Sequence, residues 1–205
     1  YDTAALWKRK GKTANAEKAG ADAMDAWKQR GAIKGGNGAK MAGEWTLYFA
    51  EKFLTESWDP YAITKAAKTV PELQAQQKDL QNMLAKTQEK YLALDSFGVA
   101  EYSMAAKVRY GESVYKYATK LSDAPIPIPV QKNPAGIAAY EETRDKNLAK
   151  YLAEAKTQWV EVVELSKKNG IANRWSQLAL ENLGREFPGE FQVLRQELTE
   201  GTEAP

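Results

Sequence analysis

Residues 99–121 read VAEYSMAAKVRYGESVYKYATKL, and the placing of apolar residues in this stretch decides the fold. Val99, Tyr102, Ala106, Tyr110, Val114, Tyr117 and Leu121 recur at helical spacing. Met104, Val108, Gly111, Tyr115 and Ala118 form a second such series. At about 100° per residue the two series lie on nearly opposite sides of one helix. A helix with two apolar sides needs neighbours on both, which predicts an interior helix in a stack where each layer covers the next. Gly111 sits mid-helix, where glycine costs about 1 kcal/mol relative to alanine. A close helix crossing there would explain that cost.

Toward the C-terminus, Ser122 to Pro134 holds Pro125, Pro127, Pro129 and Pro134, with Ile126, Ile128 and Val130 between them. Alternating proline excludes helix and predicts an extended, polyproline-like path. Two readings follow. The loop is a stiff spacer whose apolar residues rest on neighbouring helices, or it is a hydrophobic edge for a partner. On the second reading the candidate partner-binding residues are Ile126, Ile128 and Val130, with Tyr117 from the preceding helix. Residues 135–169 then predict one helix of about 50 Å. Its seam runs through Ile137, Tyr140, Leu148, Tyr151, Leu152, Ala155, Trp159, Val162 and Val163. Arg144 occupies a seam position, so packing is expected to begin near Leu148. Gly170 suits the left-handed cap of this helix. Asn173 suits the N-cap of the next, which Gly184 to Gly189 is expected to break before a short terminal helix carrying Phe191, Leu194 and Leu198.

Toward the N-terminus, Thr69, Pro71 and Glu72 predict a helix start with a capping box. The helix to about Asp95 has a narrow seam of Leu73, Leu80, Leu84, Tyr91 and Leu94. Residues 39–56 place Met41, Trp45, Tyr48, Phe49 and Phe53 at intervals of three and four, an aromatic stripe expected to be core. Asp59 and Pro60 predict a fresh short helix to about Lys68. Gly31 to Gly38 is a turn and not a phosphate loop, because Asn37 stands where that motif needs lysine. Residues 1–30 are Ala-rich and helical, with Leu6, Trp7, Met24 and Trp27 as their large apolar residues. No stretch alternates as a strand does. The expected organisation is an N-terminal helical segment over 1–38 that ends an upstream repeat array, a repeat-like domain over 39–198, and a disordered tail over 199–205.

Composition narrows the chemistry. The 205 residues include no Cys and no His. That removes thiol and imidazole nucleophiles, imidazole bases, His-containing metal sites and thiol redox pairs. No catalytic, cofactor-binding or metal-binding residue is assigned. Glu141, Glu142, Arg144 and Asp145 read as a solvated face. Net charge is +2 with the signs interspersed, which gives no basic stripe for nucleic acid. The cluster Lys8, Arg9, Lys10 and Lys12 reads as a solvated helix face. No apolar run reaches membrane-spanning length. The chain starts at Tyr1, as expected of a fragment or a processed product.

Ala155-x3-Trp159-x2-Val162 resembles the second helix of a tetratricopeptide repeat, and Trp175-x2-Leu178-Ala179 resembles the start of a following first helix. Tyr110-Gly111 fits the Leu-Gly slot of that pattern, with Val114 where Tyr is usual. The resemblance implies an all-α fold of antiparallel helical hairpins stacked as a degenerate tetratricopeptide-like α-solenoid. A narrower likeness runs from about Lys40 to Phe191. It rests on Lys52-Phe53-Leu54, Gly98-Val99-Ala100-Glu101-Tyr102, Tyr110-Gly111-x3-Tyr115, Asp123-Ala124-Pro125-Ile126-Pro127 and Gly170-Ile171-x3-Trp175. These resemble the C-terminal part of periplasmic or outer-membrane-associated tetratricopeptide proteins of the adventurous gliding-motility group. That likeness implies a periplasmic or outer-membrane-associated place and envelope proteins as partners.

The expected function is therefore a non-catalytic protein–protein interaction scaffold. One alternative is a helical enzyme or small-ligand binder with a pocket lined by Tyr102, Tyr110, Tyr117 or Trp159. Another is a coiled-coil spacer built on residues 71–95 and 135–169.

Overall fold

The computed structural model describes residues 11–191, and every regular element among them is helical. Helix α1 is Thr13–Gln29, and α2 is Asn37–Phe53, prolonged by a π-helical turn at Leu54–Trp58. Helix α3 is Val70–Leu92, followed by a 3-10 turn at Ala93–Phe97. Helix α4 is Ala100–Ser122, α5 is the single turn Ile128–Gln131, α6 is Pro134–Asn169 and α7 is Arg174–Glu186. The all-α expectation holds. The expectations for Leu6, Trp7, Lys8, Arg9, Lys10, Leu194, Leu198 and the tail 199–205 lie outside the described residues.

Side-chain contacts fix the directions of the helices. Glu17 on α1 meets Tyr48 and Lys52, while Trp27 lies against Gly38, so α1 and α2 run antiparallel. Lys107 meets Glu161 and Tyr117 meets Tyr151, so α4 and α6 are antiparallel too. Helices α2 and α4 pair Glu51 with Arg109 and Asp59 with Lys116, and α4 and α7 pair Glu112 with Asn182 and Tyr115 with Glu186. The helices α2, α4 and α7 are therefore parallel, and α3 and α6 lie between them in sequence.

The core centres on α4, as the two apolar series predict. Met104, Ala105, Ala106, Val108, Gly111, Val114, Tyr117 and Ala118 are buried, with α2 and α3 to one side and α6 and α7 to the other. Gly111 marks a close crossing of α4 and α6. A Cβ there would stand 2.6 Å from Trp159 Nε1 and 3.1 Å from the Ala155 carbonyl oxygen. The same device recurs where Gly20 meets the Trp45 ring and Gly43 meets the Tyr102 ring. In each case an aromatic ring lies flat in a notch that a methyl group would fill.

The predicted caps form with one shift. Thr69 accepts from the Glu72 amide at 3.3 Å, but the Glu72 carboxylate accepts from Lys68 N–H at 2.8 Å, one residue beyond the expected partner. Asn173 accepts from the Trp175 and Ser176 amides while Ser176 Oγ accepts from Asn173 N–H, a complete capping box. Gly170 takes the left-handed conformation after α6, with φ 61°.

The expectations for residues 59–68 and 122–134 are corrected. Asp59 ends a helix instead of starting one: its N–H donates to the Leu54 carbonyl, because the π turn carries the fully buried Trp58 into the core. Residues 61–69 form no helix. The proline loop contains the helical turn α5, with Pro129 in its first turn, where a missing N–H costs nothing. Along α6, Leu148 is half-buried, Tyr151 lies against Tyr117 and Ala155 is the first fully buried residue. Arg144 fills its seam position by donating to the Ser122 carbonyl, where a cation suits the free carbonyls at the end of α4. Helix α7 ends at Glu186, inside the stretch Gly184 to Gly189 expected to break it, and Gly184 has open space where a Cβ would stand.

Candidate functional site

Two features stand out once the helices are in place. One is a polar network between helices. Arg109 on α4 donates from Nε and NH2 to the two Glu51 oxygens on α2, both at 2.7 Å, and from NH1 to Glu112. Tyr91 of α3 donates to Glu51 at 3.0 Å, and Asn182 of α7 donates to the second Glu112 oxygen at 3.0 Å. Burial opposes the Arg109 charge, but Glu112 beside it and the hydrogen bond to Glu51 outweigh that and raise its pKa further. Tyr91 is held neutral chiefly by burial, and next by the Glu51 charge. Trp175 lies between two guanidinium groups, those of Arg174 at 4.4 Å and Arg109 at 5.4 Å from its ring. Both carboxylates are occupied by donors, so the network joins α2, α3, α4 and α7 and leaves no carboxylate poised as base or nucleophile.

The other feature is a trough over α2, between α1 and the end of α3. Thr46, Phe49, Ala50 and Phe53 form its floor, spaced along about two helical turns. Met24 and Trp27 of α1 form one wall, and Lys86, Glu89, Lys90 and Ala93 form the other. Phe97 stacks on Trp27, centroids 4.7 Å apart, and closes one end. The volume is about 490 Å³, mostly apolar in lining and open along one side. Its polar groups are Thr46, Ser96 and the charged Lys28, Lys86, Glu89 and Lys90. Thr46 Oγ1 is already engaged with the Ala42 carbonyl at 2.9 Å, and the Lys90 ammonium stands 4.8 Å over the Phe53 ring.

The aromatic stripe is core in part, with Met41, Tyr48 and Phe49 packed against buried Trp45. Trp45 is buried, but Met41, Tyr48, Phe49 and Phe53 are only half-buried. The deep face of α2 is instead the small-residue face of Ala39, Ala42, Leu47, Ala50 and Leu54. Periodicity shows which residues share a face. It does not show whether a third helix covers that face.

The sequence-predicted residues scatter. Ile128 is 38% exposed at the start of α5, Ile126 and Val130 are half-buried, and Tyr117 is 5% exposed inside the core against Tyr151. Tyr117 thus belongs to the core and not to an exposed edge. The loop is tied down by Ile128 N–H, which donates to the Ala67 carbonyl at 2.9 Å. The four aromatics considered for a ligand pocket do not converge. Tyr102 donates to the Lys40 carbonyl, Tyr110 to Glu154, and Trp159 to the Val108 carbonyl.

Among the described residues no cluster of three or more acidic side chains is placed to hold a metal ion, and no helix is long and apolar enough to cross a membrane. No known family pattern, curated protein or solved structure matches the chain.

Proposed function

We propose that this chain is a non-catalytic protein–protein interaction scaffold, a degenerate tetratricopeptide-like solenoid that serves a bacterial envelope complex. The observation that carries the reading is the open apolar trough, which leaves Phe49 and Phe53 half-covered on a helix otherwise fixed on several sides. Apolar surface of this kind, rimmed by charge, is a mark of interaction sites. The interlocking polar network gives the scaffold a fixed shape. The solenoid reading draws support from a repeat in the chain. Gly43, Gly111 and Ala179 recur at equal spacing on the parallel helices α2, α4 and α7. Leu80, Leu84, Thr87, Tyr91 and Leu94 recur at that same interval as Leu148, Leu152, Ala155, Trp159 and Val162. The envelope setting rests on the gliding-motility likeness.

The test is a photo-crosslinking amino acid placed at Phe53, at Ile128 and at exposed Lys168, in the native cells. Protein adducts at Phe53 or Ile128 but not at Lys168 are expected. Absence of protein adducts at both sites would remove the scaffold reading.

A further inference from the structure

The trough carries a charge pattern that its apolar floor does not need. Lys86 and Lys90 stand on its α3 wall with Glu89 between them, and Lys28 stands at the α1 side. Lys28 already faces Asp25 at 3.7 Å across the solvent-exposed side of α1. The excess is therefore positive and sits on the α3 lip, with the Lys90 ammonium directly above the floor at Phe53.

The shape selects among occupants. Small-molecule sites enclose most of their ligand. This one is open along its length and walled by two helices that both pack on a third. A helix laid between α1 and α3 would cover Phe49 and Phe53. The floor spans about two turns, so it seats two apolar side chains of an incoming helix spaced by four residues. Carboxylates flanking those side chains would meet Lys86 and Lys90.

Resting on the scaffold reading above, we infer that the trough receives an acidic amphipathic helix of a partner protein, apolar on one face and rich in Glu or Asp beside it. Its charge sets preference and encounter rate more than depth of binding. Two exposed ion pairs together amount to a preference of roughly five-fold.

The test uses the full chain and two synthetic peptides of about four helical turns. Both carry Leu at positions facing the floor; one has Glu on its flanks, the other Lys. Calorimetric titration at low salt is expected to show the acidic peptide binding roughly five-fold or more tightly than the basic one. The gap should narrow as salt rises. The double variant K86E/K90E lies at exposed positions and should invert the order, with an unchanged circular dichroism spectrum. Phe53→Gln should weaken both peptides. Equal affinities, a basic preference in the wild-type chain, or no binding of either peptide overturns the inference. So does one-to-one binding of decanoate without binding of the acidic peptide, which would make the trough a site for small amphipathic carboxylates. Protein adducts at Phe53 in cells together with equal peptide affinities would leave the scaffold reading standing and remove only the acidic helix.

Discussion

The crossing at Gly111 gives the sharpest test of the packing. Replacing Gly111 with Ala would ordinarily stabilise a helix by about 1 kcal/mol. Here the new methyl would stand 2.6 Å from Trp159 Nε1, 2.9 Å from its Cδ1 and 3.1 Å from a backbone oxygen. Trp159 cannot easily withdraw. It is 1% exposed and lies against Tyr115 and Phe187, with ring centroids 6.0 and 6.4 Å away. Forcing a methyl into such a site costs about 1–3 kcal/mol. Shifting the indole also breaks its 3.1 Å bond to the Val108 carbonyl. An orphaned buried N–H costs about 1–3 kcal/mol more. Set against the gain in propensity, G111A should lose about 3 kcal/mol, which is about 6–12 °C in Tm for a chain of this size. Gly184 supplies the control, because a Cβ there meets nothing within 4 Å. G184A should therefore gain up to about 1 kcal/mol. Urea unfolding followed by far-ultraviolet circular dichroism measures both. The same substitution should move the midpoint in opposite directions, with little change in slope. A G111A protein as stable as the wild type would refute the crossing geometry.

Three further outcomes are expected. Arg109→Leu should cost about 2–4 kcal/mol in urea unfolding, because it leaves the Glu51 and Glu112 carboxylates facing each other at side-chain exposures of 30% and 14%. Adding Glu51→Gln and Glu112→Gln should restore much of that loss, and a triple variant no more stable than R109L would count against the network. Asn173→Ala removes the acceptor of two amide bonds and should cost about 1–2 kcal/mol, with Asn173→Asp nearly neutral, by the same measurement. Alkali should destabilise the fold through Tyr110 and Tyr115. Burial first, then hydrogen bonds to Glu154 and Glu186, push both up to about 12. Unfolded, each ionises near about 10, so stability holds below about pH 10 and falls as pH rises toward about 12. Urea midpoints should drop across that window while phenolate absorbance appears with unfolding. A flat midpoint across it would contradict the burial of these hydroxyls.

Much of the framework is legible in the sequence because it depends on local rules. The two-sided pattern of 99–121 demands neighbours, and α4 has them. The Asn173 cap and the left-handed Gly170 follow from groups that are close in the chain. The misreadings arise where a local signal meets a larger one. Asp59-Pro60 carries the chemistry of a helix start, but burying Trp58 draws α2 onward by a π turn and uses Asp59 as its end. The prolines of 122–134 forbid a long helix, yet Pro129 suits the first turn of a short one.

The trough and the network were hidden for different reasons. Phe49 and Phe53 have the spacing of a core stripe, and that spacing is the same whether a helix covers them or not. Coverage is set by the number of helices that reach the face, which no single helix encodes. The Arg109 network was hidden by distance along the chain. Glu51, Tyr91, Arg109 and Asn182 belong to four helices, and each reads alone as one more polar residue on an amphipathic surface. Charge of this kind costs desolvation, and hydrophobic replacements of similar volume often serve stability as well. Its arrangement here answers a different need. Beside the glycine notches, which also oppose sliding, it ties helices together at defined positions. A guanidinium held by two oxygens of Glu51 and one of Glu112 accepts a single register between α2 and α4. Asn182 carries that register on to α7. Tyr91 ties α3, one wall of the trough, to the same network.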